Sequence, residues 1–286
     1  MASTDKNRNC GAVGCGAMIT SRRNPRIVDI RKLDQRKQRQ QQGLFRVEGL
    51  QLLHMALDAD ARPRALVYCD SLFVGTEAPR LLRQFEKLGA ELLPASPEVM
   101  ESLSSREVCQ GLVATFPLPS TPLSALQPAA DDLVVVLDRL QDPGNVGTLI
   151  RTADAVGAAG VVLIEPTADP FDPKTVRGSM GSVFNLPIVL TADAGGALRQ
   201  LSGCGLRTVG ADVRAGVPWG DDVLAGGVAL VLGNEARGLD ADLRDHVAAW
   251  VRLPMVGRAE SLNVAVAGGV LMYGWLRQRL RAEQER

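Results

Sequence analysis

Leu133-Val-Val-Val-Leu-Asp138 is an aliphatic run with no polar alternation, and Val161-Val-Leu-Ile164 repeats its character further on. A strand that is apolar on both faces belongs between two layers of helices. Between the two runs, Val146, Leu149, Ile150, Ala153 and Val156 recur at the spacing of one helix face, so 146–156 reads as a helix. Strand, helix and strand in this order imply a parallel sheet with helices on both sides. The pattern returns with a helix at 197–201 ahead of a strand at 207–209, and then a strand at 228–232. A last helix, from 262 to about 281, is apolar at first and polar beyond. Residues 131–286 are therefore expected to form an α/β domain.

Upstream lies a smaller α/β unit, expected over residues 26–116. One polar helix at 26–42 should end at Gly43, and Leu50, Leu53, Ala56 and Leu57 predict a helix at 47–57. Strands are expected at 64–69, 91–94 and 111–116, and helices at 78–88 and 97–103. Pro117, Pro119, Pro122 and Pro128 stiffen an interdomain linker over 117–130. Residues 1–25, Gly-rich near their middle, read as a flexible leader. A chain of 286 residues that is 46% hydrophobic can supply both cores.

The formal net charge is zero, yet charge is unevenly placed. Between residues 21 and 40 stand Arg22, Arg23, Arg26, Arg31, Lys32, Arg36, Lys37 and Arg39 against only Asp29 and Asp34. A cationic stretch of this kind attracts a polyanion without making the whole molecule sticky; a solvated helix face is its bland alternative. Five scattered cysteines with no Cys-x-x-Cys pair, and two histidines, argue against a disulfide framework, a zinc site or a Ser-His-Asp triad. The scattered cysteines lead us to expect a reducing, cytoplasmic setting, and no apolar run reaches the roughly 18–20 residues of a membrane span.

Three segments carry residues suited to chemistry. In Asp138-Arg-Leu-Gln-Asp-Pro-Gly-Asn145-Val-Gly-Thr-Leu-Ile-Arg151, Asn145 is a natural helix cap, and Arg151 stands one turn beyond Gly147 and off the buried stripe. In Leu230-Val-Leu-Gly233-Asn234-Glu235-Ala-Arg237-Gly238-Leu239, a strand runs into a glycine that would let a ligand approach the backbone. In Val251-Arg-Leu253-Pro254-Met255 and Glu260-Ser261-Leu262-Asn263, a hydroxyl and a carboxamide meet the start of the last helix, where a capping role is the simpler reading. Each alone is weak.

Together, in order and spacing, the three resemble the motifs of the SpoU/TrmH family of RNA ribose methyltransferases, within the SPOUT class, over roughly residues 131–281. Lys174-Thr-Val-Arg177-Gly-Ser179-Met-Gly181 also resembles a stretch of that family. Leu44-Phe-Arg-Val-Glu48-Gly49 and Val108-Cys-Gln110-Gly111 resemble its amino-terminal RNA-binding domain, a ribosomal-protein-like α/β fold. The resemblance implies a SPOUT-type parallel-sheet domain tied in a deep trefoil knot, working as a homodimer. It implies S-adenosylmethionine as methyl donor, held largely by backbone at Gly210, Leu232, Gly233, Asn234, Gly238, Leu253, Met255, Ser261, Leu262 and Asn263. Arg151, Asn145, Glu235, Ser261 and Asn263 would form the catalytic set, with no metal. Arg22, Arg23, Arg31, Lys32, Arg36, Lys37, Arg46, Lys174 and Arg177 would contact RNA.

A domain ahead of the catalytic one points to large-subunit (23S) ribosomal RNA rather than transfer RNA. Some members of the family act as housekeeping enzymes and others block ribosome-directed antibiotics, and the sequence leaves both roles open. The competing readings are an RNA-binding module without turnover and an unrelated nucleotide-binding enzyme. Against the second stands the lack of a Gly-x-Gly-x-x-Gly or P-loop signature.

Overall fold

The computed structural model describes residues 17–105, 108–220, 222–234 and 236–285. The small domain runs α1 (Pro25–Lys32), α2 (Arg36–Gln42), β1 (Leu44–Glu48), α3 (Leu50–Asp58), β2 (Ala65–Tyr68), α4 (Glu77–Lys87), β3 (Glu91–Pro94), α5 (Pro97–Leu103) and β4 (Leu112–Pro117). Its strands form a mixed sheet in the order β1-β4-β2-β3.

Two expectations fail here. The helix read over 26–42 is broken at 33–35, where Leu33 is buried and Asp34 turns to pair with Arg46 (2.6 Å). The helix read over 47–57 begins instead at Leu50. Residues 44–48 pair with β4 as a strand, and Gly49, at φ 103°, makes the strand-to-helix corner that a side chain would strain. Gly43 does end α2, in the left-handed conformation. The presumed leader joins the small domain from Ile19 onward, because Ile19 bridges to Ala95 and takes the amide of Ser96 (2.9 Å); residues 1–16 lie outside the described chain.

The large domain runs β5 (Leu133–Asp138), α6 (Pro143–Ala155), β6 (Gly160–Ile164), α7 (Pro173–Gly178), β7 (Ile188–Thr191), α8 (Ala194–Gly203), β8 (Arg207–Ala211), β9 (Val217–Pro218), β10 (Val228–Leu232), α9 (Ala241–Arg244), β11 (Ala249–Arg252) and α10 (Val264–Gln284). All its strand pairs are parallel, in the order β7-β6-β5-β10-β8-β11-β9. Along β5, Leu133, Val135 and Leu137 face one apolar cluster with α6 and α10, while Val134 and Val136 face a second with α8. Burial on both faces explains why the strand showed no alternation.

The domains share one core. Phe45 and Phe116 of the small sheet meet Phe171 and Phe184 of the large domain at 5.0 and 4.9 Å between ring centroids. Beside this cluster Arg39, 1% exposed, donates to Leu33 O (2.7 Å) and pairs with Asp169 (2.7 Å), while Arg36 pairs with Glu165 (2.5 Å).

Candidate active site

Helix α6 starts at Asp142-Pro143. The Asp142 carboxylate accepts the amide of Asn145 (2.8 Å), and proline fills the first helical position, where no N–H is needed. Asp142, not Asn145, is therefore the cap, and a carboxylate followed by proline was the legible sign of it. Asn145 sits half-buried in the first turn, where its Oδ1 accepts a bond from Nδ2 of Asn263 (3.0 Å).

Asn263 in turn caps α10: its Oδ1 accepts from the amides of Ala265 (2.8 Å) and Val266 (3.3 Å). Ser261 does not cap; it is exposed in the loop before, and the helix begins at Val264 rather than Leu262. Gly268 lets α10 settle against Leu149 of α6 and Leu232 of β10, since a Cβ there would overlap both side chains.

The segment after β10 folds back on itself. Asn234 and Gly238 exchange backbone hydrogen bonds (3.0 and 2.8 Å), and a Cβ on Gly233 would run into the backbone of Gly238 and Leu239. Glycine at 233 thus makes room for the protein's own loop, where the sequence suggested an approaching ligand. The Asn234 side chain donates to Arg139 O (2.8 Å) and accepts from the amides of Ala236 (3.0 Å) and Arg237 (3.2 Å). Glu235 lies outside the described residues.

Because β10, β8 and β11 are neighbours, their carboxyl ends bring Leu232-Gly233-Asn234, Gly210 and Leu253 to one end of the sheet. Leu253 and Met255 are half-buried there and Leu262 is exposed. Loop backbone for hydrogen bonds, edged by these apolar side chains, fits the adenosyl and methionine parts of S-adenosylmethionine.

Two carboxylates near this end titrate in opposite directions. Burial pushes Asp138 above the usual carboxylate range, against the pull of the Asp240 amide and the Arg139 guanidinium. Burial also works against ionising Asp212. There the amides of Arg214 and Ala215 and the Arg244 guanidinium outweigh it, holding Asp212 below the usual range.

Arg151 is exposed on α6 and makes no ion pair among the described residues. The cations read as RNA contacts divide. Arg46 is 4% exposed, pairs with Asp34 and donates to Leu103 O, so it cannot meet RNA. Arg36 is taken up by Glu165, and Arg177 bonds Ser105 Oγ (2.9 Å) across the domain boundary. Arg22 pairs with Glu101, Arg31 donates to Arg22 O and Lys32 pairs with Asp29, all at exposed sites. Arg23, Lys37 and Lys174 are exposed without an ion pair among the described residues. Sequence reasoning missed Asp138, Arg139 and Asp240, whose interplay depends on a contact between segments about a hundred positions apart.

Glycine-turned loops at the carboxyl ends of parallel strands define an α/β enzyme that binds its ligand at the strand ends. Residues 132–273 match the SpoU rRNA Methylase family, and residues 24–114 match the MRM3-like substrate binding domain. The 23S rRNA (guanosine(2553)-2′-O)-methyltransferase RlmP of Bacillus subtilis is 32% identical, over 89% of this chain and 97% of that protein. The 23S rRNA (uridine(2479)-2′-O)-methyltransferase of Streptomyces viridochromogenes is 32% identical, over 87% and 88%. The AdoMet-bound rRNA methyltransferase from Sinorhizobium meliloti superposes with a TM-score of 0.83 at 35% identity, covering 92% of this chain and 98% of that one. The chain belongs to the SpoU rRNA methylase family.

Proposed function

We propose that this protein transfers the methyl group of S-adenosylmethionine to a ribose 2′-hydroxyl of 23S ribosomal RNA. The observation that carries the reading is the Asn263–Asn145 bond. It joins the starts of α10 and α6 beside the Gly210, Gly233 and Leu253 loops, with the exposed Arg151 on the same α6.

Bound S-adenosylmethionine supplies an activated methyl on a sulfonium, so the protein's own task is to orient the ribose and ease loss of its proton. The guanidinium of Arg151 offers N–H donors and no acceptor, so it does not suit the part of an ordinary base. Its guanidinium instead stabilises negative charge growing on the ribose oxygen. Asn145 and Asn263 hold the two helix starts in register, Ser261 shapes the loop ahead, and Glu235 belongs to the same set.

The small domain reads RNA mainly by shape and phosphate, aromatic residues being only 4% of the chain. Arg23 and Lys37 are its open contacts, joined by Lys174 on α7 of the large domain, and the exposed Arg22 and Lys32 and the half-buried Arg31 can exchange a weak partner for phosphate. The family resemblance and the packing of α10 on α6 support a trefoil knot around the three loops. Exposed Val266, Val270 and Tyr273 on α10, beside a hollow of about 430 Å³ at Trp219, Gly269 and Arg277, favour a homodimer through this helix. Among the described residues no helix is long and apolar enough to cross a membrane, and we assign the enzyme to the cytoplasm, with its ribosomal substrate.

Transfer of labelled methyl from S-adenosylmethionine to ribosomal and transfer RNA tests the reading. Label in one nucleotide of 23S RNA as an alkali-resistant ribose methyl, reduced about 10²–10³-fold in Arg151→Ala, is the expected result. Full activity in that variant would refute the assigned role. Label confined to transfer RNA would overturn the substrate, and cofactor binding without transfer would leave an RNA-binding module.

A further inference from the structure

At the end of β5, Asp138 is only 1% exposed, yet it reaches a segment more than 90 positions away. Its Oδ2 accepts the backbone amide of Asp240 (3.0 Å), and its Oδ1 accepts from Arg139 (3.0 Å). Arg139 stands at φ 54°, a turn in the left-handed region that strains a non-glycine residue. That turn lets its carbonyl accept from both Asn234 Nδ2 (2.8 Å) and Gln141 Nε2 (3.0 Å). Its guanidinium also pairs with the Asp240 carboxylate (2.8 Å). The two ends of the folded-back segment 234–240 are thus each tied to the same strand end: Asn234 through its carboxamide, Asp240 through its amide and carboxylate. Between these ties, among the described residues, the segment's hydrogen bonds are internal: the Asn234–Gly238 pair and the amides of Ala236 and Arg237.

We propose that Asp138 is a positioning residue that fixes the 234–240 segment in the shape that receives S-adenosylmethionine, and so sets cofactor affinity without touching the cofactor. The inference rests on the cofactor assigned above. A buried carboxylate is costly unless its bonds are satisfied, and here the main return on that cost is the hold on Asp240.

Isothermal titration of the full-length protein with S-adenosylmethionine and with S-adenosylhomocysteine tests it. Asp138→Ala removes the acceptor, and Asp138→Asn keeps an oxygen for the Asp240 amide. In Asp138→Ala, Kd for both ligands is expected to rise roughly tenfold. The KM for the cofactor should rise in parallel, while kcat at saturating cofactor and the KM for RNA stay within about twofold of wild type. Asp138→Asn should recover most of the affinity. Hydrogen exchange should quicken in 234–240 and not in β5. Should Asp138→Ala not fold, Arg139→Gly, which keeps the left-handed turn and removes the guanidinium tie to the Asp240 carboxylate, should raise Kd in the same direction. Unchanged Kd in these variants, or kcat and affinity falling together with no rescue by asparagine, would overturn the proposal. Absence of binding by the wild type would instead refute the cofactor assignment itself.

Discussion

Asn263 serves two helices with one carboxamide: its oxygen caps α10 through the amides of Ala265 and Val266, and its nitrogen bonds Oδ1 of Asn145 in the first turn of α6 (3.0 Å). The cap is a local need of α10, whereas the bond to Asn145 sets the distance between two segments 118 positions apart. The two roles can be separated. Asn263→Asp keeps an acceptor for the cap and loses the donor; Asn263→Ala loses both. Asn263→Ala should cost about 1 kcal/mol in stability, while Asn263→Asp melts near wild type. Both should lose methyl transfer, and full activity in Asn263→Asp would detach the bond from catalysis.

Gly233 and Gly238 are needed for different reasons. A Cβ at 233 meets the backbone of Gly238 and Leu239, whereas one at 238 meets nothing but must sit at φ 71°. Gly233→Ala should therefore cost about 1–3 kcal/mol and displace the loop. Gly238→Ala should cost only about 1 kcal/mol of backbone strain. Urea denaturation with cofactor titration checks both, and a larger loss of affinity at 238 than at 233 would contradict the packing argument.

The Arg39–Asp169 pair joins the domains at a site where the guanidinium has almost no access to water. Arg39→Ala takes from Asp169 its closest cation, leaving Arg36 at 4.0 Å, and strands the carbonyl of Leu33, so a loss of about 3 kcal/mol is expected. The exposed Lys32–Asp29 pair should contribute no more than about 1 kcal/mol. Comparable losses in Arg39→Ala and Lys32→Ala would show that the buried pair does not brace the interface.

Asp212 gives a prediction with a sign. Its carboxyl lies below the ordinary 3.8 in the folded state, so the folded protein binds fewer protons there than the unfolded chain. Its contribution to stability is fully present above the unfolded value and lost as pH falls through the folded one. Asp212→Asn should be less stable than wild type at neutral pH, and the difference should shrink below about pH 4. A gap that widens in acid would contradict the assignment. Denaturant titrations at a series of pH values measure it.

Much of this molecule was legible in one dimension. The β-branched run 133–138 and its successors encode a buried parallel sheet because strands covered on both faces need no polar alternation. The spacing of Val146, Leu149, Ile150 and Ala153 encodes the buried face of α6, and the three motif segments carry the family.

What one dimension could not assign was which partner each polar side chain would find. In sequence Val47 and Glu48 read as part of the helix that follows, and only the pairing of 44–48 with β4 makes them part of a strand. Arg36 and Arg46 looked like RNA contacts and Arg39 like part of the same cationic stretch, yet Glu165, Asp34 and Asp169 bind them, because charge in a sequence carries no record of what folds against it. Asn145 gave up the cap to Asp142 and took Asn263 instead. The local rules of strand and helix are written in neighbouring residues. The site depends on distances between segments that are remote in sequence, and those are set only when the sheet closes and α10 packs on α6.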